Sequence, residues 1–339
     1  MMSAIDLTID AIHALAKRCL LANGCDDANA HALADCMSVA ERDGSHAHGL
    51  FRVPGYVAAL RSGKVDGRAA AQVERLAPGV LRVDARGGFA PLALRRGRPA
   101  LIECAREQGI AAQAYVNMHH FSSLWIETEA LAEAGLVAFA CTAYMPAVAP
   151  SGGCRPLYGT NPIAFAWPRA DKPPMVFDMA TAAMSRGDIQ IAARDGKSIP
   201  PGAGLDAQGN ATTDPQAVLD GGVMLPFGGY KGSALAMMVE LLAAGLLGQA
   251  FSFEAKQRDN GDGGPPAGGE FIFAMDPARF GDPDWAAHCE GFFEQYGAIA
   301  GTRLPGDRRY RERARHAAEP VPVPVPVPRD LYERIVALC

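Results

Sequence analysis

The sequence predicts an α/β protein that begins with a helical segment, and three observations carry that prediction. Short runs with strand character (80–85, 110–116, 136–142, 162–167, 175–179 and 270–275) are separated by runs at helical spacing such as 91–108 and 122–134. Before residue 62 the apolar residues repeat only at helical spacing. The order of the later elements is irregular, and the loops between them are rich in glycine and proline, as in Ala147-Val-Ala-Pro-Ser-Gly-Gly153, so no simple alternating unit fits the whole.

Taken in order, Thr8 is placed to cap a first helix in which Ile9, Ile12, Ala16, Cys19 and Leu20 recur on one face, and Asn23-Gly24 is a natural stop. Asp26 or Asp27 caps a second helix through Ala30, Leu33, Ala34 and Met37, which ends at Asp43-Gly44. His13 and His31 are read as partly exposed residues of these helices rather than ligands. A short helix is expected from Pro54 to Gly63. Residues 232–248 are apolar nearly all round apart from Glu240, too short for a membrane span, and are read as a buried helix. The run 258–269 must be a loop, 284–301 a helix, and 320–328, alternating Pro and Val, an extended polyproline strap along the surface before a last helix from Asp330. We divide the chain into a helical segment at 1–62, an α/β core at 63–305 and a C-terminal helix with its strap at 306–339.

With 339 residues, 49% of them hydrophobic, the chain can bury a large core. A net charge of -5 gives no support to a nucleic-acid or anionic-membrane role, which leaves a small molecule as the expected partner. Eight cysteines without a C-x-x-C pair argue against a zinc site and suit reduced thiols in the cytoplasm. The N-terminus has neither the charged start nor the apolar block of a signal peptide.

Chemistry concentrates in Glu41-Arg-Asp-Gly-Ser-His-Ala-His-Gly-Leu-Phe-Arg52. Histidine can give or take a proton near neutrality, and Arg52, four residues after His48, offers a guanidinium fork for a carboxylate. On spacing alone these are equally well turn residues and a surface cation. Asn117-Met-His-His-Phe-Ser122 lies between a strand and a helix, where α/β folds place ligands, and with no acidic or cysteine partner at ligand spacing nearby it suggests hydrogen bonding rather than metal. Neither G-x-G-x-x-G nor a P-loop occurs. Pro226-Phe-Gly-Gly-Tyr-Lys-Gly232, opening the long apolar helix, has the backbone N–H groups and the lysine to face an anion, although a solvated glycine-rich turn is its plainer reading.

Taken together, His48-Gly49 with Arg52, His120-Phe121, Gly159-Thr-Asn-Pro-Ile-Ala164, Phe177-Asp-Met-Ala-Thr181, Thr212-Thr-Asp-Pro215 and Gly228-Gly-Tyr-Lys-Gly232 resemble, in order, the malate/L-lactate dehydrogenase-like NAD(P)H oxidoreductases. That resemblance implies a dinucleotide-binding fold unrelated to the Rossmann fold, and a homodimer. Arg42-Asp-Gly-Ser-His, the string Ser185 to Arg194, Leu225-Pro-Phe-Gly-Gly229 and Gly306-Asp-Arg-Arg-Tyr-Arg-Glu-Arg313 look most like the branch that reduces cyclic imino acids, Δ1-piperideine-2-carboxylate and Δ1-pyrroline-2-carboxylate.

Hydroxyacid members usually have lysine where this chain has Asp188. A carboxylate stabilises a protonated imine and a lysine repels it, so Asp188 favours the imine over the alternative, a 2-hydroxyacid dehydrogenase acting on malate, lactate or ureidoglycolate. The resemblance implies His48 and Asp188 as the acid–base pair, and Arg52 and Thr160 holding the substrate carboxylate. It places His120 beside both substrate and nicotinamide, and Ser122, Asp178, Met179, Thr181, Arg186, Gly229 and Lys231 along the cofactor. NADPH is expected before NADH, with Arg308 among the arginines that would meet a 2'-phosphate, although such a charge run is equally a solvated helix face. No metal is expected. The branch usually carries serine where Ala47 and Ala182 stand, so any hydroxyl role there falls to Ser45, Thr181 or water.

Overall fold

The computed structural model describes residues 4–318 and 322–339. The N-terminal part comprises β1 (Ala4–Leu7), α1 (Ile9–Ala22), α2 (Asp27–Arg42), two 3-10 turns at His46–His48 and Leu50–Arg52, and α3 (Val53–Arg61). Next come β2 (Gln72–Ala77), β3 (Val80–Asp84), α4 (Ala90–Gln108), β4 (Ile110–His119), α5 (Trp125–Glu133), β5 (Val137–Thr142), β6 (Ile163–Arg169), β7 (Lys172–Met179) and α6 (Arg186–Arg194). The short elements β8 (Gly204–Leu205), β9 (Ala211–Thr212), α7 (Pro215–Leu219) and β10 (Val223–Met224) precede α8 (Tyr230–Glu240), α9 (Ser252–Arg258) and β11 (Ala267–Met275). The chain closes with α10 (Trp285–Ala298), α11 (Asp307–Ala318), β12 (Val325–Pro328) and α12 (Arg329–Val336).

The expected caps form. Thr8 accepts from Ala11 N at 3.1 Å and Asp26 from Asn29 N at 2.8 Å, each satisfying an N–H that the first helical turn leaves free. Seven strands build the main sheet in the order β2-β3-β4-β11-β5-β6-β7, in which only β3 and β4 run parallel. A late strand, β11, is thus inserted between β4 and β5, a placement that no local pattern announces. Helix α4 lies close on this sheet because Gly97 has no side chain: a Cβ there would stand 2.6 Å from the Tyr115 hydroxyl.

Two expectations are corrected. The run 232–248 is not a helix buried all round: α8 passes into a π-turn at Leu241–Gly245, and Met237, Leu241 and Leu246 are 51%, 56% and 64% exposed. The buried face is the one that carries Glu240. The Pro-Val run, of which residues 320 and 321 lie outside the described residues, is not a surface polyproline spacer over Val325–Pro328: β12 pairs antiparallel with β1, and Val325 and Val327 are buried among Ile12, Leu15 and Leu331. Alternation makes this possible, since the valines face inward and the prolines lie on a two-stranded ribbon with free edges. One apolar cluster therefore contains α1, α2, α3, β12 and α12.

Candidate active site

The turn after α2 is organised by a buried acid. Glu41 accepts from Leu50 N at 2.8 Å and pairs with His46 Nδ1 at 2.5 Å, a contact that raises the His46 pKa. Gly49 leaves room for this carboxylate, because a Cβ there would stand 2.1 Å from Glu41 Oε1. His48 and Arg52 do not share an α-helical face, since two separate 3-10 turns carry them, yet both reach one cavity.

That cavity, about 670 Å³, is walled by His48, Arg52, His120, Phe121, Ser122 and Thr160, with Ser185 and Arg186 on the α6 side, Lys256 on α9 and Asp259 at the start of the loop between α9 and β11. Arg52 is held for use: Nε donates to Ala47 O at 2.7 Å and the guanidinium lies 4.7 Å over the Phe121 ring. Its terminal nitrogens have no hydrogen-bond partner among the described residues, so a fork for an anion is pre-aimed. Burial first, then the charge of Arg52, lowers the His48 pKa, which makes this imidazole neutral at pH 7. Thr160 is fixed by its neighbours. Thr181 donates to Thr160 O through both N (2.9 Å) and Oγ1 (3.1 Å). Asn161 Nδ2 donates to Glu240 Oε1 at 2.8 Å, and Glu240 also binds the Ser252 backbone and hydroxyl, while Gly159 N donates to that hydroxyl at 2.9 Å. Glu240, the lone acid in an apolar helix, was the one sequence signal for this network.

Of the residues the resemblance links to the cofactor, His120, Ser122 and Arg186 line the cavity. Asp178 stands behind it, accepting from Trp125 N at 3.0 Å, with its pKa pushed up to about 6 chiefly by burial. Met179 is exposed and Thr181 fully buried. Thr181 O accepts from Phe227 N at 3.1 Å and so joins that strand end to the turn bearing Gly229 and Lys231. The turn needs bare backbone: Gly228 and Gly229 have φ of +56° and +62°, and a Cβ on Gly232 would stand 2.2 Å from Phe227 O. Arg308 lies apart on α11, donating to Gly44 O at 3.2 Å. The rest of the arginine run is partly paired rather than solvated: Arg313 binds Asp43 and Glu129, and Arg309 donates to Val176 O at 2.9 Å.

Asp188 does not line the cavity. It is exposed in the first turn of α6, where Ser185 caps the helix by accepting from Asp188 N at 3.0 Å and its hydroxyl lies 2.7 Å from Asp188 Oδ2. Ser185 is itself a cavity residue, so one hydrogen bond separates Asp188 from the cavity. The sequence reading missed Ser185 as this link.

Acidic partners that no ligand spacing marks around His120 arrive by folding: Glu270 Oε2 of β11 and Glu127 Oε1 of α5 lie 3.4 and 3.8 Å from His120 Nε2. His13 and His31 likewise gather on Asp35, four residues after His31, at 2.9 and 3.5 Å, but Arg95 also pairs with that carboxylate and supplies a cation.

Comparison with known proteins supplies the context for this geometry. A relative from Pseudomonas putida, named Delta(1)-pyrroline-2-carboxylate/Delta(1)-piperideine-2-carboxylate reductase, is 51% identical over 86% of this chain and 85% of its own length. The crystal structure of delta1-piperideine-2-carboxylate reductase from Pseudomonas syringae superposes with a TM-score of 0.93 at 44% identity, covering 99% of this chain and 100% of that one. A (2R)-3-sulfolactate dehydrogenase (NADP(+)) from Chromohalobacter salexigens is 45% identical over 87% of this chain and 88% of its own. The family model described as malate/L-lactate dehydrogenase matches residues 7–332, and with the cavity walled by His48, Arg52 and His120 in view, the chain belongs to that oxidoreductase family.

Proposed function

We propose that this protein reduces the C=N bond of a cyclic 2-carboxy imine, Δ1-pyrroline-2-carboxylate or Δ1-piperideine-2-carboxylate, to the L-amino acid, using NADPH in the cytoplasm. The observation that carries the reading is the unengaged Arg52 fork beside a neutral His48 in one cavity. The relatives' names support the substrate class, and the name of the sulfolactate enzyme supports NADP.

Arg52 and the Thr160 hydroxyl hold the carboxylate and so orient the ring. A protonated imine brings its own N–H, for which a neutral imidazole is the fitting acceptor; His48 receives that hydrogen bond and governs the proton on nitrogen. Asp188, through the Ser185 hydroxyl, adds negative potential that favours the iminium form. The residues present fit a dinucleotide: Gly228, Gly229 and Gly232 leave a bare-backbone turn at the start of α8 with Lys231 exposed upon it, as a pyrophosphate requires. When bound, the nicotinamide supplies hydride. Ser122, Arg186 and the exposed Met179 would line it, with Asp178 and the buried Thr181 supporting that wall from behind, His120 would sit near its ring, and Arg308 would meet the 2'-phosphate.

The exposed position of Asp188 favours keeping one alternative, a 2-hydroxyacid dehydrogenase, because the feature that distinguishes an imine acts only at one remove. Loss of nicotinamide absorbance, followed with NADPH and NADH against both imines, pyruvate and oxaloacetate, decides between them. The expected result is turnover of the imines with NADPH; preference for the oxo acids would replace our reading with the alternative. We also propose a homodimer, supported by the exposed apolar face of Tyr230, Met237, Leu241 and Leu246. An active monomer in sedimentation at dilute concentration would refute it.

A further inference from the structure

Behind the cavity wall, three acids converge on one imidazole. Glu270 is fully buried, Glu127 is 4% exposed and His120 8% exposed, and Asp178 adjoins them from β7. Glu270 is brought here by an irregularity in β11, whose register against β4 shifts between Gly268 and Glu270. Gly269 permits the close approach, since a Cβ there would stand 2.4 Å from Ala243 O. Neither Glu270 oxygen, nor Glu127 Oε2, nor His120 Nε2 has a hydrogen-bond partner among the described residues.

These groups cannot all be ionised. The charged groups facing them from other elements are Arg309 of α11, itself partly buried and with an unpartnered Nε, Arg98 of α4, which lines a small cavity with Glu127, and Arg52 across the cavity, where His48 is neutral. Two fully desolvated glutamates with no arginine or lysine paired to either among the described residues, beside a third carboxylate, leave an uncompensated anion unless a hydrogen is retained. The acid farthest from water and nearest to Nε2 is Glu270. Burial, then Glu127 and Asp178, hold its pKa well above the carboxylate range.

We propose that Glu270, backed by Glu127, keeps its hydroxyl hydrogen and donates it to His120 Nε2, so that the ring is fixed as the tautomer with hydrogen on Nδ1 and offers an N–H donor to an acceptor oxygen of the bound ligand. A neutral imidazole that accepts at one nitrogen must carry its hydrogen on the other. Glu270 and Glu127 are then positioning residues, and their action is exerted through His120. The acceptor is an amide or carboxylate oxygen, from the cofactor or from the substrate. The identity of that ligand rests on the function proposed above, whereas the tautomer does not.

The test is two-bond proton–nitrogen correlation on the full chain labelled with ¹⁵N-histidine, with the His120 signal assigned by its loss in His120→Gln. The expected pattern in the free protein is a protonated Nδ1 and a bare Nε2; the reverse pattern overturns the proposal. Glu270→Gln, whose amide can still donate, should retain the pattern, and Glu270→Met should abolish the preference. If Glu270→Met does not fold, the parent protein alone still decides. Adding NADPH alone, or pyrrole-2-carboxylate alone as a planar acid of substrate size, separates the two sources of the acceptor: a shift of the Nδ1–H signal with either one supports the donor role and identifies its source. No shift with either overturns that role. Failure of imine turnover would leave the tautomer result untouched, so the two readings fail separately.

Discussion

Replacing Arg52 by lysine tests the heart of the site. The guanidinium is held by its own Nε bond to Ala47 O and by the Phe121 ring below it, which leaves two parallel N–H donors for a carboxylate at little further ordering cost. Lysine keeps the positive charge but loses the bond to Ala47 O and one of the two donors. A charge-assisted hydrogen bond contributes about 1.5–3 kcal/mol. At about 1.4 kcal/mol per factor of ten, KM for the imino acid should rise roughly 10- to 150-fold. The KM for NADPH should stay within about twofold, because the loss falls on uniform substrate binding. The assay is nicotinamide absorbance with imine varied at saturating NADPH, and thermal unfolding confirms that the variant is folded. A folded variant whose imine KM stays within about threefold of the parent would show that another cation holds the carboxylate.

Asp188→Asn should lower imine turnover on the order of 100-fold if its potential reaches the iminium. Ser185→Ala should cause a similar loss and the pair no more than either alone, and independent, multiplying effects would break the proposed link. Gly49→Ala should destabilise the fold by about 1–3 kcal/mol in denaturant titration, because the new methyl displaces Glu41 from His46 and Leu50 N; an unchanged midpoint would refute that role for Glu41. The His48 pKa is lower in the folded than in the unfolded chain, so its contribution is complete above the unfolded value near 6.5 and is lost as pH falls towards the folded value. Stability relative to His48→Gln should therefore fall by up to about 1.4 kcal/mol per pH unit below about 6.5, and a pH-independent difference would contradict an imidazole held neutral in the cavity wall.

The sequence by itself determined the α/β class, the first helices with their caps at Thr8 and Asp26, and the strings by which the family is recognised, because each depends on residues within a few positions of one another. It also identified His48, Arg52, His120, Ser122, Thr160 and Arg186, which the fold gathers around one cavity. What it left open depends on distance in the chain. The central place of β11 and the burial of the Pro-Val run against β1 follow from pairing partners more than a hundred residues away. Side chains to which no motif assigned a role hold the site: Glu41 beneath the His48 turn, Glu240 and Ser252 beneath Thr160, Glu127 and Glu270 behind His120. A buried carboxylate needs partners, but only tertiary packing decides which groups they are. Asp188 shows the same limit from the other side. Its charge is written in the sequence, while its distance from the cavity, one serine hydroxyl away, was settled by where α6 begins.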